Sequence, residues 1–277
     1  MINRNKQITI NYRLTDNSLN HKIDYFQDKY GLNLVPANSV SAQANWPLLR
    51  VTKQNLILEH QRDNLFFHPS MALLRMINLK RGIKDRFLQA TGLRSGDIFL
   101  DATMGLASDA LIAAWSVGQE GKVIALEASV LLHFLVSEGL ASFKELKPAK
   151  IKGTDKLAAW EELAEAADRI ETVCTDHYAF LRKLPACSVD VIYFDPMFRD
   201  TLADTSPSIK PLQNLSVPEP LKVETVKEAC RVARRRVVLK ERNGSGEFKR
   251  LGFRLLDGGK YSSVSFGVID TWPGGNS

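Results

Sequence analysis

Short apolar segments alternate with segments of helical periodicity along most of the sequence, and this alternation constrains the fold more than any other feature. DIFLDAT (residues 97–103) is rich in strand-forming residues, whereas ASDALIAAWSVG (residues 107–118) has helical spacing and ends at Gly118, which suits a helix C-cap. Strands that alternate with helices predict an α/β fold with a mostly parallel sheet. Further strands are predicted at 122–128, 169–176, 189–195 and 235–241, and further helices at 129–140, with Ser129 as N-cap, and at 218–233.

The last two predicted strands break the alternation. FRLLDG (residues 253–258) and YSSVSFGVID (residues 261–270) have no helical segment between them, and the DGGK sequence that joins them is typical of a turn. We therefore expect a seven-stranded, mostly parallel sheet that ends in an antiparallel hairpin.

The amino-terminal part of the chain has a different pattern. HKIDYFQDKYGL (residues 21–32) predicts a helix, and LLRVTKQNLILEH (residues 48–60) predicts two short strands around a polar turn. We interpret residues 1–65 as a small α/β extension and residues 66–277 as the main domain.

Composition is that of an ordinary globular protein, with 44% hydrophobic and 25% charged residues in 277. The apolar stretch 126–136 is interrupted by Glu127, Ser129 and His133, so it is too short for a membrane span. The first 13 residues lack the apolar centre and cleavage site of a signal peptide. We expect a cytoplasmic protein without membrane contact.

Cysteine usage argues against two further classes of protein. Cys174, Cys187 and Cys230 are odd in number and show no CxxC spacing. A disulfide framework and a structural zinc site both need paired or closely spaced cysteines. We therefore expect no metal.

Acidic residues follow most of the predicted strands. Ligands of open parallel sheets bind beyond the carboxyl ends of the strands, where the winding direction reverses. An unpaired buried carboxylate is costly, so several acids along one edge indicate a ligand with hydroxyl and amino groups. The acids are Asp101 after the first strand of the main domain, Glu127 after the second, Asp176 after the third and Asp195 after the fourth.

The turn after the first of these strands, DATMGLASDA, favours S-adenosylmethionine as the cofactor. It contains only Gly105, where a dinucleotide-binding turn has three glycines, and Asp109 at the helix start would repel a phosphate. A nucleoside ligand without phosphate and with positive charge fits better. Glu127 follows Gly105 by 22 residues, close to the spacing of an acid that binds ribose hydroxyls, and Asp176 beside Thr175 could accept from the adenine amino group.

The segment VDVIYFDPMF (residues 189–198) predicts chemistry on an amino group. Methylation of an exocyclic amine needs fixed oxygens that accept its N–H groups and aim the nitrogen lone pair. Asp195 offers a carboxylate, and Pro196 holds nearby carbonyls in a rigid backbone. Phe198 could stack on a base that has flipped out of a helix.

The net charge of +6 and the isoelectric point of about 9.2 favour a polyanionic partner. The run 231–236 contains the most arginines, but Arg234 to Arg236 lead into the amino end of a strand, opposite the ligand edge. Better placed to bind such a partner are Arg199, Lys240 and Arg242, and His68 is a further candidate although it is expected to pack or cap.

The residues LDATMGLASDA, ALEAS, CTD and VIYFDPMF, in this order after HPSMA, resemble the RsmJ-type class I methyltransferases. That resemblance covers Phe66 to Val268. It implies a Rossmann-like fold, S-adenosylmethionine as cofactor and guanine N2 of small-subunit ribosomal RNA as acceptor. It also implies cofactor contacts from Ser108, Asp109, Glu127, Ala128, Thr175, Asp176 and Asp195. The first strand end and the turn that follows it add Asp101 and Gly105 to this set.

Three alternatives stay open. The basic cluster after HPSMA is thinner than in that family, so the chain could represent a sister group with the same core and another acceptor. A DNA adenine and a small-molecule amine are such acceptors. A nucleotide- or RNA-binding protein without catalysis is compatible with the same fold.

Overall fold

A computed structural model describes residues 8–41, 47–60, 63–146, 153–196, 220–257 and 262–271. Its larger sheet has the strand order β11-β12-β10-β9-β6-β7-β8. Strands β6 to β10 run parallel, and β12 is antiparallel to β10 and to β11. The predicted α/β class, the seven strands and the terminal hairpin are confirmed. Its strands are β6 (Ile98–Asp101), β7 (Lys122–Glu127), β8 (Ile170–Cys174), β9 (Val189–Phe194), β10 (Ala233–Arg242), β11 (Arg254–Leu255) and β12 (Val264–Asp270).

Helices cover both faces of this sheet, because its central strands are apolar on both sides. Every residue of β9 except Asp190 is buried, as parallel sheets require. Each face has its own hydrophobic cluster. The helices of this part of the chain are α2 (Ser70–Lys80), α3 (Arg86–Thr91), α4 (Ser108–Val117), α5 (Val130–Ala141), α6 (Thr154–Ala167), α7 (His177–Leu181), α8 (Val223–Val232) and α9 (Glu247–Leu251).

The strand order places a crevice beside β6. Strand β6 has β7 on one side and β9 on the other, so the chain reverses its winding direction there. Parallel sheets bind ligands at such a switch point. The turns after β6 and β9 are therefore the expected walls of a site.

Helix ends match the caps expected from the sequence. The Ser129 side chain accepts a hydrogen bond from the Leu132 N–H, and Gly118 ends α4 with a left-handed φ of 67°. Helix α6, which the alternation did not reveal, lies between α5 and β8.

A second sheet, of five strands, forms from the amino-terminal part, in the order β2-β1-β3-β4-β5. The predicted helix and two strands are present as α1, β3 and β4. Strands β1, β2 and β5 were not predicted: β2 and β5 have only four and three residues, whereas β1, TINYRL, alternates polar and apolar residues and its signal was overlooked. The elements are β1 (Thr9–Leu14), α1 (Asn20–Tyr30), β2 (Asn33–Pro36), β3 (Leu48–Val51), β4 (Leu56–His60) and β5 (Asp63–Leu65).

Helix α1 docks on α5 of the larger unit. Glu138 on α5 accepts hydrogen bonds from the Tyr30 hydroxyl at 2.6 Å and from the Lys29 ammonium at 2.9 Å. The Phe134 ring packs edge-on against Tyr30, with centroids 4.9 Å apart. The two units thus share one continuous hydrophobic cluster.

In the described residues, no helix has both the length and the apolar character needed to cross a membrane.

Candidate active site

Four carboxylates and two cations meet at the carboxyl edge of β6, β9 and β10. They come from elements far apart in sequence, which the parallel register brings together. The carboxylates are Asp85, Asp101, Asp109 and Asp195, and the cations are Arg75 and Lys240.

Asp101 ends β6 and is only 1% exposed. Its Oδ1 accepts a hydrogen bond from the Thr103 N–H at 3.0 Å, whereas its Oδ2 is buried without a hydrogen-bond partner among the described residues. Burial, with Asp109 nearby, raises the pKa of this carboxyl well above its usual value. A buried polar atom without a partner is rare in proteins, so the position of this carboxyl calls for a functional explanation.

Asp109, in the first turn of α4, is held by three donors. Arg75 Nη1 lies 2.5 Å from its Oδ1, and the Tyr193 hydroxyl and Lys240 Nζ lie 2.8 Å and 3.3 Å from its Oδ2. Burial works to raise the pKa of Asp109, but Lys240 and Arg75 outweigh it and hold that pKa below its usual value. Arg75 also binds both carboxylate oxygens of Asp85, at 2.7 and 3.0 Å.

Asp195 follows β9 directly. Its N–H donates to Thr103 Oγ1 at 2.7 Å, so the turn after β9 is fixed to the turn after β6. Its Oδ2 accepts from Lys240 Nζ at 2.7 Å. Burial raises the pKa of Asp195, and Lys240 opposes this rise. Pro196 is half-buried beside it, whereas the predicted Phe198 and Arg199 lie outside the described residues.

Glu127, at the end of β7, holds the turn that contains Gly105. Its Oε2 accepts from the Gly105 N–H at 3.2 Å, and its Oε1 accepts from the Ser129 N–H at 2.9 Å. Gly105 has a φ of 52°, in the left-handed region that favours glycine. Burial raises the pKa of Glu127. A carboxylate has about four acceptor positions, so the backbone hydrogen bonds of Gly105, Ala128 and Ser129 leave capacity for a ligand hydroxyl.

The remaining predicted cofactor residues surround the same edge of the sheet. Ser108 begins α4, and Ala128 follows Glu127 at the end of β7. The Thr175 N–H donates to the Glu127 carbonyl at 3.0 Å, which places the end of β8 beside that of β7. Asp176 caps α7 by accepting from the Ala179 N–H at 2.8 Å, so one of its oxygens already has a structural role.

The residues predicted to bind a substrate lie in different surroundings. Lys240 is paired with two carboxylates rather than open to a phosphate. Arg242 is the exposed last residue of β10. The His68 ring packs edge-on against Phe66 and Trp160, and burial lowers the pKa of His68. Their roles toward a substrate stay predictions.

Sequence reasoning missed Arg75, Thr103 and Tyr193. Arg75 lies in the middle of helix SMALLRMINLK, whose other charged residue, Lys80, is at its end, and a charge inside such an apolar segment is a signal that could have been used. Tyr193 lies in an apolar strand and Thr103 lies in a turn, so neither residue differs from what those elements ordinarily contain.

The charge balance of this edge fits a cationic nucleoside. Four carboxylates face two cations, and Asp101 Oδ2 has no donor of its own among the described residues. The ammonium and sulfonium of S-adenosylmethionine would compensate that excess, so the residues present fit this cofactor. In the part of the chain that the structure describes, no group of three or more His, Cys, Asp or Glu side chains could hold a metal ion.

Comparisons with known proteins concern the family and the fold of the chain. The family model described as "Putative SAM-dependent methyltransferase" matches residues 42–249. The chain is 37% identical over 244 residues to the Uncharacterized protein YpiP of Bacillus subtilis, and the aligned part covers 88% of this chain and 89% of that protein. It is also 38% identical over 102 residues to the Ribosomal RNA small subunit methyltransferase J of Laribacter hongkongensis, and this aligned part covers 37% of this chain and 30% of that protein.

Among solved structures, the SAM-dependent methyltransferase NGO1261 of Neisseria gonorrhoeae matches with a TM-score of 0.59 at 19% identity. The match covers 97% of both chains. At this identity the likeness concerns the fold, which is the Rossmann-like methyltransferase fold that the sequence predicted.

Proposed function

This chain belongs to the family of SAM-dependent methyltransferases, and we propose that it methylates an exocyclic amine of a nucleobase in RNA, with guanine N2 of ribosomal RNA as the leading candidate. The enzyme class and the cofactor, S-adenosylmethionine, follow from the family. The acceptor is supported by the site and by the partial likeness to a ribosomal RNA methyltransferase. Such an acceptor would place the enzyme in the cytoplasm.

The cofactor supplies a methyl group activated by a sulfonium. We assign its ribose hydroxyls to Glu127, whose carboxylate keeps acceptor capacity beside the turn at Gly105. Its ammonium group would lie toward the Asp101 carboxyl, and the adenine would lie near Asp176. Further proposed contacts, from Ser108, Asp109, Ala128, Thr175 and Asp195, surround the same strand ends.

The single observation that carries the acceptor chemistry is the way Asp195 is held. Thr103 fixes its backbone and Lys240 fixes its Oδ2, so its Oδ1, which has no hydrogen bond to the described residues, would accept an N–H of the amine. A neighbouring carbonyl at Pro196 would accept the second N–H. These two hydrogen bonds would aim the nitrogen lone pair at the methyl group and hold the amine in place. Such positioning lowers the activation barrier of methyl transfer.

A proton must leave the nitrogen once it carries the new methyl group. The Asp195 carboxylate is the base within reach, and it passes the proton to solvent. Phe198 is proposed to stack on the base, and Arg199, Arg242 and His68 to contact the RNA backbone.

The proposal is tested by measuring the transfer of a tritiated methyl group from S-adenosylmethionine to RNA. The RNA is isolated from a strain that lacks this gene. We expect Asp195→Ala to lower the transfer rate by about 100-fold or more, because it removes both the positioning oxygen and the base. Calorimetry should show that S-adenosylhomocysteine still binds. Asp168→Asn is the matched control, since Asp168 lies on the surface and pairs only with Lys144 among its described contacts.

Full transfer by Asp195→Ala would overturn the assignment of Asp195. The nature of the acceptor is tested separately, with ribosomal RNA, adenine-containing DNA and small amines as a panel. Transfer that disappears at high salt would favour a nucleic acid. Cofactor binding without transfer to any acceptor would support the non-catalytic alternative.

A further inference from the structure

We propose that Lys240 is a positioning residue that keeps Asp195 ionised and aimed at the acceptor, and that Arg75 completes this arrangement by acting through Asp109. This inference rests on the proposed role of Asp195. It replaces the expectation that Lys240 binds a phosphate of the substrate.

Lys240 lies between two carboxylates from different parts of the chain. Its Nζ is 2.7 Å from Asp195 Oδ2 and 3.3 Å from Asp109 Oδ2. Its side chain is 25% exposed, so solvent screens these charges only partly. An ammonium that already compensates two carboxylates has little capacity left for a phosphate. The phosphate would also be repelled by the same carboxylates.

Arg75 determines which oxygen of Asp109 is available to Lys240. It approaches Asp109 Oδ1 and at the same time binds both oxygens of Asp85. Asp109 Oδ2 is then left to accept from the Tyr193 hydroxyl and from Lys240. The guanidinium also stacks over the Phe87 ring at 5.1 Å, which limits its movement. A chain of fixed contacts therefore runs from α2 to the reacting carboxylate.

Titratable groups from five elements surround Asp195, and one of them, Arg75, reaches it only through Asp109. Among these groups, Lys240 is the cation that contacts Asp195 directly. A carboxylate in such surroundings takes up a proton easily unless a cation lies beside it. The groups are Asp101 from β6, Asp109 from α4, Tyr193 from β9, Lys240 and Glu241 from β10, and Arg75 from α2.

The direction of the Asp195 shift agrees with this geometry. Burial raises its pKa, Asp109 and Glu241 add to the rise, and Lys240 is the group that lowers it. Without Lys240, Asp195 would stay protonated to a higher pH. A protonated Asp195 could neither accept the amine N–H as strongly nor take the proton of the product.

Lys240→Met tests the inference by two independent readings. Carbon-13 NMR of aspartate-labelled protein follows the titration of the Asp195 carboxyl, assigned by comparison with Asp195→Asn. We expect the midpoint to rise by about one pH unit or more in Lys240→Met. Lys240→Arg should restore most of the wild-type midpoint because it keeps the cation.

Kinetics on the same RNA give the second reading. We expect kcat at pH 7 to fall about tenfold or more and to recover at alkaline pH, with KM for RNA little changed. Lys122→Met is the matched control, because Lys122 also sits on a strand of this sheet and pairs with a carboxylate, but at the amino edge. It should change neither the midpoint nor kcat.

An unchanged Asp195 midpoint in Lys240→Met would overturn the inference. A raised KM for RNA with an unchanged pH profile would also overturn it, since this result would indicate that Lys240 binds a phosphate of the substrate. If Lys240→Met does not fold, Arg75→Lys gives the same test in weaker form and should raise the same midpoint. If wild-type protein methylates no acceptor, the proposed function fails, while the NMR titration still decides the role of Lys240.

Discussion

Asp97 and Asp101 stand at the two ends of β6, and their surroundings are opposite. Asp97, just before the strand, accepts a hydrogen bond from the Arg94 N–H and forms an ion pair with Arg235. Asp101, at the end of the strand, has an oxygen with no partner among the described residues. The same side chain is therefore structural at one end and available for a ligand at the other.

The difference extends along both edges of the sheet. At the amino edge, each arginine of the run 234–236 meets one carboxylate, from Asp190, Asp97 or Asp270. At the carboxyl edge, Asp85, Asp109 and Asp195 share two cations, and Asp101 forms no ion pair with the described residues. The amino edge, where charges are matched, stabilises the sheet, whereas the carboxyl edge, with its excess of acid, suits a cationic ligand. Mutations at the two edges should therefore have different effects.

The largest effect on stability is expected from Asp97→Asn. This change leaves the Arg235 guanidinium in a mostly buried position without its carboxylate. Breaking such a pair costs about 3 kcal/mol of unfolding free energy. Urea titration measures this loss, and Asp101→Asn, at the other end of the strand, should show none. An equal loss in both variants would contradict the contrast between the two edges.

The next effect appears in the pH dependence of stability. The folded-state pKa of Asp101 is raised, so folded protein binds its proton more tightly than unfolded protein does. Stability is therefore lost as pH rises from about 3.8, the unfolded value, through the folded pKa. For one group the slope reaches at most about 1.4 kcal/mol per pH unit.

Asp101→Asn removes that loss. The variant should gain stability over wild type as pH rises from about 4, measured by urea titrations at several pH values. At neutral pH it should also bind S-adenosylmethionine about tenfold or more weakly. A difference between variant and wild type that does not depend on pH would show that Asp101 is not the group that titrates.

The smallest effect is expected from Thr103→Val. The hydroxyl of Thr103 accepts the Asp195 N–H at 2.7 Å, and valine leaves that N–H without this partner at nearly constant volume. We expect a loss of about 1 kcal/mol in unfolding free energy and a larger proportional loss in kcat. Thr103→Ser should keep both. Loss of stability with full kcat would show that Thr103 does not position Asp195.

The sequence allowed prediction of the acids but not of their partners. Asp101, Glu127 and Asp195 could be placed at one edge because strands that end in polar residues give a periodic, local signal. The pairing of Lys240 with Asp195 spans 45 residues, and that of Arg75 with Asp109 spans 34. Such pairs depend on strand order and on which face a helix presents, and neither is encoded in a short segment.

The five-stranded sheet shows the same limit on another scale. Its parallel pairing of β1 with β2 and with β3 joins segments separated by α1 and by further turns. Thr9 to Leu14 do alternate polar and apolar residues, a strand signal that was overlooked, but the pairing partners of this strand could not be read from the segment itself.

The position of Lys240 late in the chain has a consequence for synthesis on the ribosome. Asp195 emerges 45 residues before its counterion, which corresponds to roughly 2–9 s at ordinary elongation rates. Of the two cations at this edge, Arg75 has then already been translated, but its described ion pairs are with Asp85 and Asp109, not with Asp195. The ion pair of Asp195 with Lys240 therefore forms only after β10, one of the last strands to be translated, has been added.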